Sequence, residues 1–250
     1  MKKIELLSPV GNMDCMRAAV QNGADAVYFG SGFSARAFAS NFDGDDLKCA
    51  IEYAKLRGVH THLTLNTLIK NDEFENAFSV AKMAYNYGID AIIVQDLGLA
   101  NLLINSFPKI SIHASTQLTA HNLDGVLALQ DMGFKRVVLS RELTLEEIEY
   151  ITKNSNVEIE TFIHGALCIS YSGQCLFSSM VGGRSGNRGK CAQPCRLPFS
   201  LIDEKNNKLD SGYLLSTRDL CGLDFIPNLI KAGVSSLKIE GRMSPHRSAG

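Results

Sequence analysis

Two rhythms alternate along the first 165 residues. Short apolar runs, rich in β-branched residues, lead into longer stretches where apolar positions recur every three or four residues. The first kind predicts buried strands and the second amphipathic helices. Strands are expected at residues 3–10 (KIELLSPV), 25–30 (DAVYFG), 59–66, 91–96, 110–115, 136–141 and 158–165. Helices are expected at 12–23, 46–58, 71–88, 97–107, 122–133 and 144–155. The first helix has Asn12 as its cap and Gly23 as its stop. The stretch 71–88 is the clearest, with Phe74, Ala77, Phe78, Ala81 and Ala84 on one face. A looser connection, SGFSARAFASNFDGD, fills 31–45.

Seven strand–helix steps with apolar strands imply a parallel sheet. An eighth strand, SSLKIEGR at 235–242, follows only after a long interruption. The expected fold is therefore α/β, a TIM-like (β/α)8 barrel with a Cys-rich excursion between strands seven and eight; an open doubly wound sheet is the alternative. The barrel would comprise residues 1–165 and 234–242, and the excursion 166–233. Within the excursion a hairpin is expected at 199–216 and a returning helix at 219–233. It should leave from the C-terminal face of the barrel, where barrel enzymes place their chemistry. Residues 243–250 follow the last strand with no helix to cover it, and the expectation is a truncated or engineered boundary.

The chain has 250 residues, 45% hydrophobic and 20% charged, which suits one large globular domain. No apolar run reaches membrane-spanning length, and the start, MKKIELLSPVGN, lacks the apolar core of a secretory signal. A cytoplasmic location is expected. With a net charge of -1, any nucleic-acid contact must come from a local basic patch. Seven cysteines without a signal argue against a disulfide framework. Cys15 and Cys49, inside helical patterns, read as small buried hydrophobes.

Polar residues collect where the strands should reach the barrel mouth: Glu5, Asn66, Gln95, Asp96, His113, Ser115, Gln117, Arg141, Glu142, Glu160, His164, Lys238, Glu240 and Arg242. Such groups are costly in strands unless paired or used, so they predict either a polar pocket or a salt-bridge network filling the top of the barrel. His113, Gln117, Arg141 and Arg242 are the expected substrate contacts there. The common zinc-protease and serine-hydrolase signatures, HExxH and GxSxG, do not occur.

Four further cysteines fall within HGALCISYSGQC and GKCAQPC: Cys168, Cys175, Cys191 and Cys195. Structural zinc sites favour tighter C-x2-C knuckles. The looser spacing here suits an iron–sulfur cluster, whose irons spread the thiolates apart. Zinc, redox thiols and no shared site remain alternatives. The Gly-rich loop between the pairs carries Arg184, Arg188 and Lys190, with Arg196 just after, cations suited to phosphate or carboxylate. Nearby aromatic residues are few, Tyr171 and Phe177.

ETFIHGALCISYSGQCLFSS, RGKCAQPCR and SLKIEGR, with ELLSPVGN, GADAVYFG and HASTQ near the start, closely resemble the collagenase-like peptidases of family U32. The resemblance runs through about Arg242. It implies either a peptidase of unsettled catalytic type or, from other relatives, oxygen-independent hydroxylation of a tRNA or rRNA base or of the ubiquinone ring. It implies a [4Fe–4S] cluster on Cys168, Cys175, Cys191 and Cys195, with Cys221 a possible substitute. For RNA targets it implies prephenate as hydroxyl source. Glu160, His164, Lys238 and Glu240 are the expected catalytic groups. A non-enzymatic metal-binding scaffold is the remaining alternative.

Overall fold

The computed structural model describes residues 3–30, 33, 42 and 44–241. Arg242, the tail 243–250 and most of the 31–45 connection lie outside the described residues. The strands are β1 (Glu5–Pro9), β2 (Ala26–Gly30), β3 (His60–Leu65), β4 (Ala91–Val94), β5 (Ser111–Ala114), β6 (Arg136–Val138), β7 (Glu158–Ala166), β8 (Phe199–Ile202), β9 (Lys208–Gly212), β10 (Asp219–Cys221) and β11 (Ser236–Ile239). The helices are α1 (Met13–Gln21), α2 (Gly44–Lys55), α3 (Phe74–Tyr87), α4 (Leu97–Ser106), α5 (Leu123–Asp131), α6 (Leu145–Asn154), α7 (Phe177–Gly182) and α8 (Ile226–Lys231).

Strands β1 to β7 pair in sequence, β7 pairs with β11, and β11 closes on β1, all parallel. This closed ring of eight is a TIM-like barrel and removes the open-sheet alternative. Between β7 and β11 the chain passes through α7, the β8–β9 hairpin, β10 and α8. Among the described residues no helix is long and apolar enough to cross a membrane.

The large hydrophobic core lies outside the barrel wall. Val27 and Phe29 of β2, Leu63 and Leu65 of β3 and Ile92 and Val94 of β4 meet Met16, Leu47, Ile51, Ala81, Leu99 and Leu103 of the helices. Because side chains alternate along a strand, the intervening residues point into the lumen. Leu7, Ala26, Tyr28 and Ile93 form a small apolar cluster there. Helix α3 buries Ala77, Ala81 and Ala84 completely, and their small size lets it lie close to its neighbours.

Local signals set the helix ends. The Asn12 side chain accepts from the Cys15 N–H at 2.8 Å, and Thr144 and Glu147 form a capping box at α6. Three expectations need correction. Cys15 and Cys49 are exposed: the buried faces of α1 and α2 belong to Met16 and to Leu47, Ala50, Ile51 and Ala54. The segment 71–73 is a 3₁₀ turn, so that helix begins at Phe74. The helix expected over 219–233 shrinks to Ile226–Lys231, because Asp219–Cys221 pairs antiparallel with the end of β7, and Pro227 suits a helix start rather than its interior.

Candidate active site

A cavity of about 160 Å³ opens at the C-terminal end of the barrel. Barrel residues supply its floor and walls: Tyr28, Thr64, Asn66, Ile93, Ser115, Gln117, Arg141, Phe162, Lys238 and Glu240. Residues after β7 supply the rest, including Cys168, Cys175, Cys191, Cys195 and Arg196. Two distant stretches of sequence thus share one space. Tyr28, Thr64 and Phe162 were not singled out from sequence. The signal for Tyr28 was a phenol at an inward position of an otherwise apolar strand; its hydroxyl donates to the Ile239 carbonyl at 2.9 Å.

Deeper in the lumen the polar residues form a charge network. Lys238 Nζ donates to Glu160 Oε1 at 2.7 Å and lies 4.6 Å from the centre of the Tyr28 ring. Arg136 reaches Glu160 at 3.1 Å, Glu158 at 2.8 Å and Glu5 at 2.5 Å, and Ser236 donates to Glu5 at 2.9 Å. Burial would raise the Glu160 carboxyl, but the charges of Lys238 and Arg136 outweigh it and hold the group below its ordinary value. Glu160 is 0% exposed and does not line the cavity, so its place is beneath Lys238 rather than at the mouth. Glu5 is also displaced from expectation: it opens β1 and sits with Arg136 and Glu158 at the opposite, N-terminal end of the barrel.

Two histidines lie buried in the same lumen. His62 and His113 meet edge to face at 5.0 Å. Burial and the positive charge of Arg136 push His62 down to about 3, and burial with His62 nearby pushes His113 well below its usual value. His113 therefore lies neutral beneath the cavity and does not line it. His164 is exposed, opposite Cys221 on β10, and neither lines the cavity.

On the cavity wall Arg141 bonds Glu240 at 2.7 Å and the Ala166 carbonyl at 2.5 Å, and its guanidinium lies 4.0 Å from the centre of the Phe162 ring. Glycine is required nearby. Gly165 has φ +126°, and a Cβ there would stand 2.6 Å from Glu240 Cβ. Asp96, another polar strand-end residue, instead caps α4 through the Leu99 N–H at 2.9 Å.

Two cations expected to be substrate contacts hold the cysteine segment in place, Arg188 against residues 68–73 and Arg196 within the excursion itself. Arg188 forms a two-pronged ion pair with Glu73 and donates to the Leu68 carbonyl at 2.7 Å. Arg196 donates to the carbonyls of Leu167 and Thr217 and to Ser216 Oγ. Arg184 and Lys190 stay exposed outside the cavity, with Arg184 Nε donating to the Lys190 carbonyl at 2.8 Å.

The four thiols line the cavity together. Backbone N–H groups of Phe177 and Gln193 approach the sulfurs of Cys175 and Cys191 at 3.4 and 3.3 Å. Burial raises the Cys195 thiol, Arg196 opposes that, and the other three cysteines add to the rise. Among the described residues no three His, Cys, Asp or Glu side chains are gathered to hold one metal ion.

The model of peptidase family U32 matches residues 11–249. The chain is similar to the 23S rRNA 5-hydroxycytidine C2501 synthase of Escherichia coli, with 44% identity over 242 residues, covering 96% of this chain and 36% of that protein. It is 36% identical over 250 residues to tRNA hydroxylation protein P1 of Bacillus subtilis, covering 97% and 59%. It is 35% identical over 254 residues to a collagenase of Porphyromonas gingivalis, covering 95% and 61%. The chain thus spans between 36% and 61% of these relatives' lengths. The solved structure of the U32 peptidase Mk0906 shares the fold, with a TM-score of 0.63 at 12% identity over 96% of this chain and 94% of that one.

Proposed function

From a chain that belongs to peptidase family U32, we propose the barrel portion of an RNA-hydroxylating enzyme that carries a [4Fe–4S] cluster beside a substrate cavity. One observation carries the reading: four thiols and the polar mouth of the barrel share a single cavity. Relatives named for rRNA 5-hydroxycytidine synthesis and tRNA hydroxylation support it.

The donor set fits the cluster. Cys168, Cys175, Cys191 and Cys195 are the four soft ligands a [4Fe–4S] group takes. N–H groups at Cys175 and Cys191 favour sulfurs that carry negative charge. Bound there, the cluster supplies redox-active iron next to the substrate.

This chain's own residues then bind and orient. Lys238, held by Glu160, Arg141, held by Glu240, and Arg196 are the cavity cations that a small carboxylate co-substrate would meet, for which the family resemblance implies prephenate. Glu240 is the wall's carboxylate and the candidate acid–base group. Outside, Arg184 and Lys190 lie on a stretch with no Asp or Glu from 161 to 202, a local positive surface for RNA phosphates in a chain of net charge -1. The peptidase reading rests on the collagenase relative. It lacks support in the cavity, which has no histidine among its described lining residues to serve as a base.

The test is nucleoside mass spectrometry of RNA from a strain lacking this gene, complemented with wild type or Cys168→Ala. A hydroxylated pyrimidine nucleoside should return with wild type and not with the variant. Equal profiles would remove the hydroxylation reading. Anaerobically purified protein should hold about four irons and four sulfides per chain; a single zinc would remove the cluster.

A further inference from the structure

The cavity contains an acceptor with no partner. Gln117 is 9% exposed and lines the cavity, yet its Oε1 accepts no hydrogen bond from the described residues. A buried carbonyl in that state is unfavourable until a ligand brings a donor. The backbone around it is fixed. The Gln117 N–H donates to Ser115 Oγ at 3.2 Å, and Ser115 Oγ also accepts from Asn66 Nδ2 at 3.2 Å.

The side chain is fixed from above by the cysteine segment. Gly173 has φ +80°, and a Cβ there would stand 3.0 Å from Gln117 Cγ and 3.1 Å from its Cβ. The neighbouring Gln174 donates from its side-chain amide to the Gln117 backbone carbonyl at 3.3 Å and to Thr119 Oγ1 at 3.0 Å. The segment that carries the thiols thus packs over the Gln117 side chain with no room for a larger residue at 173.

The size of the space limits what can face that amide. The cavity is about 160 Å³ and is shared with the four thiols, so the group facing the amide is small. Phe162 and Tyr28 offer aromatic surface and Ile93 aliphatic surface. Enzymes that modify a base extrude it into such a pocket and read its edge by hydrogen bonds.

We propose that Gln117 is the specificity-determining residue of this cavity, its side-chain carbonyl accepting a ring-edge N–H of the bound base, and that Gly173 and Gln174 position it. This rests on the RNA-base reading above. It adds that substrate choice depends on the order of the cysteine segment, because that segment sets the amide.

The experiment is a titration of the full chain, labelled with ¹⁵N-glutamine, with free nucleosides. Cytidine is compared with pyrimidin-2-one riboside, which lacks the amino group, and uridine with 3-methyluridine, which lacks the ring N–H. The preferred nucleoside should shift the Gln117 side-chain signals and bind about tenfold tighter than its analogue, the worth of one hydrogen bond. Gln117→Met should bind both alike. Gln117→Glu, which keeps an acceptor, should retain the preference, and Gly173→Ala, whose new Cβ meets the Gln117 side chain, should weaken it. Circular dichroism of each variant checks the fold, and Gln117→Glu carries the test if Gln117→Met is unfolded. Wild-type discrimination surviving in Gln117→Met, or lost in a folded Gln117→Glu, would overturn the assignment to Gln117. Undiminished preference in Gly173→Ala would overturn the positioning role. Wild type that binds no nucleoside would overturn the base reading of the cavity, and this proposal with it.

Discussion

Glu160 and Lys238 form an ion pair inside the barrel, at 2.7 Å, with side chains 0% and 7% exposed. Removing one member of such a pair leaves the other buried with its charge unmatched, which costs about 3–5 kcal/mol. Glu160→Gln should approach the upper end, because it strips a carboxylate from both Lys238 and Arg136. Lys238→Met should cost about 3 kcal/mol, since Glu160 keeps Arg136. The double variant should cost well under the sum, with a coupling of about 2–3 kcal/mol, because Arg136 retains Glu5 and Glu158 and no unmatched charge remains at the Lys238 position. Urea unfolding measures this. With an m-value of about 3 kcal/mol/M, each single variant should move the midpoint down by about 1 M or more. A double variant whose loss equals the sum of the singles within about 0.5 kcal/mol would refute the paired account.

The two remaining predictions concern acid and backbone geometry. His62 stays neutral in the folded protein down to about pH 3, while the unfolded chain protonates it near 6.5. The unfolded state therefore binds more protons in this window, and stability falls as pH falls, by about 1.4 kcal/mol per pH unit. His62→Phe, which keeps the ring contact with His113, should lose about 2 kcal/mol less than wild type between pH 6.5 and 5; urea titrations at the two pH values giving equal losses would contradict this. Gly165→Ala should lower stability by about 2 kcal/mol or more, because its φ of +126° disfavours a side chain and the new Cβ meets Glu240. A thermal melt matching wild type would show that β7 and Glu240 can separate without cost.

The barrel was legible because its signals are local. Strand runs, the Asn12 and Thr144 caps and the alanine face of α3 each follow from residues a few positions apart. The membership of the cavity was partly legible. Asn66, Ser115, Gln117, Arg141, Lys238 and Glu240 line it, each polar at the end of an apolar strand. Depth along the strand was not legible. Glu5 and Glu160 look like Glu240 in sequence, and only the stagger of neighbouring strands sets their levels, with Glu160 opposite Ser236 and Glu5 opposite the same residue. Partnership across long separations was equally hidden. Arg188 looks like an open cation in sequence because nothing nearby announces Glu73, which lies 115 positions away. Cys15 and Cys49 were misplaced for a simpler reason: their helices already had larger or better-spaced residues for the buried face.

The clasp between β7 and β10 has a topological consequence. Ala166 and Asp219 stand opposite each other, so residues 167–218 leave and rejoin the same strand. From the barrel's side, the whole stretch is one closed loop with fixed ends. The entropy of closing such a loop grows only with the logarithm of its contour, about 0.6 kcal/mol for each doubling of length. The tip of the β8–β9 hairpin, at Asp203–Asn207, is exposed or nearly so and turns on Asp203's own hydrogen bonds to Lys205 and Asn207. Chain can be added or removed at that tip with little strain on the ring of eight strands. The architecture separates a rigid frame from an appendage of adjustable length.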